Sequence, residues 1–295
     1  MNRLRKLFAP LLAAFALTGC ATDIYAPRAD YVAPAMWEVS DEDTTIYLFG
    51  TVHALTGDTQ WFSGPIEQAY DASGELVTEI SVDTPAANAQ AILARALLPE
   101  GQSLRETMTP DARARFEDAL VALGLPVTAM DRYKPWYAAM LLTLRQVGRE
   151  GFTTQSGAEA ALAGRSEGKK RSALETVDDQ VALFDSLPME AQLTFLDETI
   201  QAMDVASETL RIMVERWLAG DAAGLAVLMN NELADPVLYA RLLTDRNARW
   251  AEWLDRRMDE PGTVFVAVGA GHLAGKGSVQ DYLKQRGHKV RRVRQ

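Results

Sequence analysis

The sequence predicts an α/β (α+β) domain, a mixed and mostly parallel sheet built from the N- and C-terminal thirds with a large helical middle insertion. Three observations carry that expectation. Strand-like segments rich in β-branched and aromatic residues fall at both ends of the chain. Apolar residues at helical spacing fill most of the stretch from about 85 to 250. A strand–helix–strand pattern near the start favours parallel pairing, because parallel strands need a crossover of that kind.

The elements follow in order. Met36-Trp37-Glu38-Val39 and Ile46-Tyr47-Leu48-Phe49 flank the polar stretch Ser40 to Thr44, which is a hairpin pattern. Pro65 to Ser73 fits a helix that Gly74 ends, and Leu76-Val77-Thr78-Glu79-Ile80 is a third strand. Helices are then expected over Ala86 to Leu98, Pro110 to Leu123, Pro135 to Arg149, Gly157 to Glu167, Asp178 to Leu187, Met189 to Leu218 and Leu238 to Met258. Pro188 and Pro236 punctuate that run, and Lys134-Pro135-Trp136 reads as a helix start with proline in the first turn. Within it, Arg171 to Glu175 reads as a short strand. Val264-Phe265-Val266-Ala267-Val268 is a fully buried strand type, Val279 to Gln285 a helix, and Lys289 to Val293 a last, basic edge strand.

The N-terminus has a secretory pattern. Arg3, Arg5 and Lys6 precede an apolar run from Leu7 to Leu17, too short for the roughly 20 residues that span a bilayer. It ends in Leu17-Thr18-Gly19-Cys20, which resembles a lipobox, the signal at which bacterial lipoproteins are cleaved and acylated on cysteine. The expected division is a signal peptide over 1–19, a tether over 20–34 lacking periodicity, and one domain over 35–295. Ala21 and Thr22 follow Cys20 without an aspartate, which by analogy favours the periplasmic face of the outer membrane. Cys20 is the only cysteine, so no intrachain disulfide, thiolate nucleophile or cysteine-based zinc site is expected. The formal charge is −10, and without Arg3, Arg5 and Lys6 the chain keeps 27 basic against 40 acidic side chains, or −13. That balance is a poor match for nucleic acid.

The chain has three histidines, and two share one context: an apolar strand, then Gly-x-x-His. They are Gly50-Thr51-Val52-His53 and Gly269-Ala270-Gly271-His272. A strand ending in glycine can turn sharply through positive φ, and the residues after it rise over the carboxyl edge of the sheet, where open α/β sheets bind ligands. Strand exits about 5–10 Å apart let two imidazoles converge on one ion or substrate. His288, after Gly287, reads as a turn residue at the surface. Glu79 is a charge inside an apolar run and needs either a function or a buried partner. Glu175 has the same two readings, and Asp83 is a weaker candidate. Arg246 and Asn247 fall on a helix ahead of the second motif. Arginine there can polarise a carbonyl or pin a carboxylate, or sit in a salt bridge. Trp61, Trp136, Trp250 and Trp253 read as core or pocket walls.

Taken in order, Leu48-Phe49-Gly50-Thr51-Val52-His53, Glu79, Lys134-Pro135-Trp136, Leu174-Glu175-Thr176 with Gln180, Arg246-Asn247 and Val268-Gly269-Ala270-Gly271-His272-Leu273 resemble the TraB/GumN family, to which the animal Tiki proteins are related. The resemblance covers about residues 35 to 293. It implies a site made by His53, His272 and Glu79 with Arg246 in support. It also implies metal-dependent proteolysis as in Tiki-type members, with a divalent ion (manganese, cobalt or zinc) held by His53, His272 and Glu79. More distant relatives include erythromycin esterases and haem-binding ChaN-like proteins. The expected function is a metal-dependent, peptidase-like hydrolase of the cell envelope acting on a peptide or small molecule, attached to a membrane through its lipid. Metal-free acid–base hydrolysis is an alternative within enzymes. The alternative outside them is a lipoprotein that binds metal, haem or peptide without turnover. No Gly-x-Ser-x-Gly elbow, His-Glu-x-x-His helix, P-loop or dinucleotide fingerprint is present.

Overall fold

The computed structural model describes residues 33–81, 85–230 and 239–294. The expected signal segment, Cys20, most of the tether and Asp83 lie outside the described residues. Strands β1 (Met36–Ser40) and β2 (Thr44–Thr51) form the expected hairpin, its turn held by the Thr44 N–H donating to the Asp41 carboxylate at 2.8 Å. Helix α1 (Gly64–Ala72) leads to β3 (Glu75–Thr78). The middle of the chain supplies α2 (Pro85–Ala96), α3 (Pro110–Ala122), α4 (Pro135–Gly148), α5 (Ala158–Gly164), the short β4 (Lys170–Ala173), α6 (Val177–Asp185), α7 (Met189–Leu218) and α8 (Ala222–Asn230). Helix α9 (Asp245–Arg257), β5 (Gly262–Gly269), α10 (Val279–Gln285) and β6 (Val290–Arg292) complete it. Proline stands in the first turn of α1, α3 and α4, where its fixed φ suits the helix and its missing N–H costs nothing.

The sheet has six strands in the order β4-β3-β5-β2-β1-β6. Strand β5 is parallel to β2 on one side and β3 on the other, β4 is parallel to β3, and β1 runs antiparallel to both its neighbours. This is the mixed, mostly parallel sheet with a helical middle that the sequence predicts. One detail differs: β2 and β3 are parallel but not adjacent, because β5 is inserted between them. Residues Val264 to Val268 are buried on both faces, as suits a strand in the middle of a covered sheet, and β5 pairs on both sides.

Alternation along β2 and β5 sets two cores. Leu48, Val264 and Val266 pack with Trp250, Leu254 and Leu283 on one face; Phe49 and Phe265 pack with Trp61, Tyr70 and Trp217 on the other. A third cluster around Phe116, Trp136 and Phe195 holds the helical middle, where α4 packs along α7. The C-terminal end of α7 is joined to the sheet by Trp217, whose Nε1–H donates to the Gly50 carbonyl at 2.7 Å. Helix α8 has no counterpart in the expected elements. Its run Ala-Ala-Gly-Leu-Ala-Val-Leu-Met is apolar all round and lacks the polar face that marks a surface helix. The helix expected from Leu238 opens, among the described residues, with a π-helical turn over Ala240–Thr244 before α9 begins. Such turns are rare and gather at functional sites.

Candidate active site

Four adjacent parallel strands end at one edge of the sheet, and each delivers a polar side chain there. In sheet order, β4 is followed by Glu175, β3 by Glu79, β5 by His272 and β2 by His53. The carboxyl edge is where an open parallel sheet leaves room for a site, since the connections diverge from it. Residues 79 and 175 are locked together by the Glu175 N–H donating to the Glu79 carbonyl at 2.8 Å. His272 sits in a 3₁₀ turn, Ala270–Leu273, directly after β5. The motif glycines do not turn the chain through positive φ as expected: Gly269 has φ −49°, and neither Gly50 nor Gly271 is in the left-handed region. Gly50 serves close approach instead. A Cβ there would lie 3.1 Å from the Ala270 Cα, so glycine lets β2 press against the turn that carries His272.

Arg246 binds this edge together from α9. Its side chain is 1% exposed. Nη2 donates to Glu79 Oε2 at 2.7 Å and Glu175 Oε2 at 2.8 Å, and Nε donates to Glu175 Oε1 at 2.9 Å. Nη1 donates to the Leu242 carbonyl at 3.2 Å and to His272 Nε2 at 3.1 Å. These contacts engage all five N–H donors of the guanidinium. The expected role of Arg246 in polarising a carbonyl or pinning a substrate carboxylate therefore has no donor left to perform it in this arrangement. In this arrangement Arg246 ties Glu79, Glu175 and His272 together. Glu79 is likewise satisfied within the protein, with Oε1 accepting from the Gly269 N–H at 2.8 Å and Oε2 also accepting from Gln180 of α6 at 2.8 Å. Trp250 closes the network, its ring 4.7 Å from the guanidinium carbon and 4.1 Å from the His272 ring.

The surroundings of His272 fix its protonation. Asn247 donates from Nδ2 to the Gly277 carbonyl at 2.8 Å, which turns its Oδ1 toward His272 Nδ1 at 2.5 Å. Nδ1 is thus the protonated nitrogen and Nε2 the acceptor for Arg246. Burial first, then the Arg246 and His53 charges, hold the His272 pKa well below the usual histidine value, and its side chain is 0% exposed. The 3.8 Å approach of its Nε2 to Glu79 Oε1 is therefore a contact of a neutral ring and not an ion pair.

His53 stands differently. Its side chain is 37% exposed, and Nδ1 meets Glu159 Oε1 at 2.6 Å. Glu159 comes from the first turn of α5, and its Oε1 also accepts from the Thr51 hydroxyl at 2.5 Å. The segment 52–55 is clamped to this region by the Ala158 N–H donating to the Val52 carbonyl at 3.0 Å and by paired bonds between Leu55 and Thr153. The Glu159 charge is the main cause that raises the His53 pKa to about 9; burial opposes it, and the Glu159 hydrogen bond and the Glu79 charge reinforce it. Burial pushes the Glu159 carboxyl up, but His53 and the Thr51 hydrogen bond outweigh it and hold it low. Glu159 was not among the expected site residues, because an acid in the first turn of a helix is an ordinary dipole partner. Gly157 makes the approach possible: a Cβ there would fall 2.2 Å from the His53 carbonyl oxygen. Gly157→Ala is expected to cost about 1–3 kcal/mol, as overpacking does, and to part Glu159 from His53. Urea unfolding reads the first effect and the His53 titration by NMR the second.

Both histidines give stability a pH dependence of known sign. His272 stays neutral when folded but charges in the unfolded chain below pH about 6.5. Stability should fall with acidification there, by up to about 1.4 kcal/mol per pH unit. His53 is raised, so its contribution is complete below about 6.5 and is lost as pH rises through about 9. Melting temperatures across pH 5 to 10 check both limbs, and His53→Gln should remove the alkaline one.

The resemblance implied His53, His272 and Glu79 as ligands of a divalent ion, and as arranged their donor set does not fit one. His272 Nε2 and Glu79 Oε2 both face the Arg246 cation, and His53 Nδ1 is engaged by Glu159. Among the described residues no group of three or more His, Cys, Asp or Glu side chains converges as a metal site. His288, expected at the surface, follows the positive-φ Gly287 and pairs with Asp255 at 2.6 Å.

A mostly parallel sheet with histidines and carboxylates gathered at its carboxyl edge defines an α/β protein with a polar cluster at that edge. The chain belongs to the TraB/PrgY/gumN family, whose model matches residues 35–292. It is similar to the uncharacterized protein YbaP of Escherichia coli (strain K12), 25% identical over 259 residues that cover 86% of this chain and 93% of that one. It is also similar to YbaP of Shigella flexneri, 26% identical over 243 residues covering 81% and 87%, and to an uncharacterized protein of Treponema pallidum (strain Nichols), 23% identical over 266 residues covering 85% and 80%. No solved structure is a significant match.

Proposed function

We propose that the chain is a lipid-anchored hydrolase of the cell envelope that cleaves an amide or ester bond in a peptide or small molecule at the His53 edge of this site. The observation that carries the reading is the His53–Glu159 pair. A part-exposed imidazole is oriented through Nδ1 by a carboxylate, with Nε2 making no hydrogen bond to the protein among the described residues. That arrangement suits a group that takes a proton from water and returns it to the leaving group, the carboxylate stabilising the imidazolium in between. The neutral form does the accepting, so log kcat/KM should rise with pH and level off near the His53 pKa of about 9. Glu79, with both oxygens already accepting hydrogen bonds, supports the edge from behind.

Anchoring rests on Cys20 and the apolar run before it. Radiolabelled palmitate should enter the wild-type chain in a bacterial host and be absent from Cys20→Ala. For the chemistry, the full chain in detergent is screened against quenched peptides and chromogenic esters beside His53→Ala. Turnover that disappears in His53→Ala while the far-UV circular dichroism is unchanged supports the reading. No turnover of any amide or ester, or turnover indifferent to His53, overturns it.

A further inference from the structure

The two Gly-x-x-His motifs read as a matched pair, yet the fold gives their histidines opposite surroundings. Around His272 the hydrogen bonds form one polarised chain. The Gly277 carbonyl fixes the Asn247 amide, the amide oxygen fixes the proton on Nδ1, and the remaining lone pair on Nε2 accepts from Arg246. Each link leaves the next a single choice, so both ring nitrogens are committed within the protein. Arg246 then bridges Glu79 and Glu175 at the ends of β3 and β4. Around His53, among the described residues, only Nδ1 is engaged, by a carboxylate that reaches it because position 157 lacks a Cβ.

We infer that the paired motifs divide the work and do not share a metal ion: His53, positioned by Glu159, is the histidine that meets substrate, while His272 is a fixed neutral acceptor that seats Arg246 beneath it. That His53 meets substrate rests on the hydrolase reading; the rest does not. Glu159 is a positioning residue, because it acts through the imidazole. The groups facing His53 are Glu159 from α5, Glu79 after β3, Arg246 from α9 and the neutral His272 after β5.

The test uses the full chain, labelled with nitrogen-15 histidine and assigned with His53→Gln, His272→Gln and His288→Gln. His272 should show one protonated and one bare ring nitrogen from pH 6 to 9. His53 should show two protonated nitrogens at pH 7. In Glu159→Gln the His53 midpoint should fall by about 1–3 units, the effect of losing an adjacent opposite charge, with His272 unmoved. Glu159→Asp should restore part of the shift, which separates a local role from misfolding. Added zinc, cobalt or manganese should leave the His272 signals in place, and the purified protein should carry no stoichiometric metal. Stoichiometric metal lost in both His53→Ala and His272→Ala, or both rings shifting together on adding zinc, overturns the inference while leaving a hydrolase possible. The expected spectra with no turnover of any ester or amide would sink the hydrolase reading and leave the division between the histidines standing.

Discussion

Replacing Arg246 by methionine is expected to lower the unfolding free energy by about 3–5 kcal/mol, the usual cost of removing one partner of a buried ion pair. Arg246 is the cation between two carboxylates that are themselves almost wholly buried, at 7% and 5% side-chain exposure for Glu79 and Glu175. Without it, two negative charges face each other at the ends of β3 and β4, and among the described residues the other cation beside them is the exposed Arg249, 3.5 Å from Glu175. His272 loses the donor to its Nε2 as well. Urea unfolding followed by tryptophan fluorescence measures the loss. At roughly 2–4 °C per kcal/mol for a domain of this size, the melting temperature should drop by about 6–20 °C. Adding Glu79→Gln and Glu175→Gln to the methionine variant should recover part of it, because the neutral amides no longer need the cation. A loss below about 1 kcal/mol would mean that the network is looser than its hydrogen bonds indicate.

The second large effect separates the two histidines. His53→Ala should reduce turnover by about 10²–10⁴-fold, the range for removing a proton-transferring group, and near neutral pH should lower the melting temperature only by the charge-pair contribution with Glu159 that is lost towards pH 9. The side chain is partly exposed, and its loss opens no sealed cavity. His272→Ala should behave in the reverse order. It empties a fully buried site against Trp250 and strips partners from Arg246 Nη1 and Asn247 Oδ1, costing about 2–5 kcal/mol. Any fall in turnover should then track the fraction folded. Equal kinetic loss with equal stability loss in the two variants would contradict the assignment of separate roles.

What was legible in the sequence is what local pattern controls. Helix α7 matches the expected Met189–Leu218 to the residue, and α10 matches Val279–Gln285, because apolar residues at helical spacing meet clear stops. The order of the sheet was less so. Nothing in the strand–helix–strand unit reveals that a strand almost 200 residues later enters between β2 and β3; only the two-sided burial of Val264 to Val268 hints at it. At the site, His53, Glu79, Glu175, Arg246 and His272 were singled out by motif and by charge in apolar surroundings, and the fold brings all of them to one edge. Their pairing was not legible. Whether Arg246 reaches outward or bridges Glu79 and Glu175 depends on how α9 crosses the sheet, which hydrophobic spacing does not specify. Glu159 was invisible because its partner lies 106 positions away (159 against 53) and its own surroundings read as a helix start. Gly50 was noticed for the wrong reason and Gly157 only as a helix start: both matter for the absence of a Cβ, a property of what packs against them.

His53 is accessible and His272 sealed, and histidine-selective acylation by diethyl pyrocarbonate, mapped by mass spectrometry on the folded protein, tests that contrast most directly. The reagent attacks only an unprotonated ring nitrogen that it can reach. His53 should be modified slowly at pH 7, faster as the pH approaches 9, and faster still in Glu159→Gln, while His272 stays unmodified until the chain is unfolded in urea. Modification of His272 in the folded protein at a rate matching that of His53 would contradict the account.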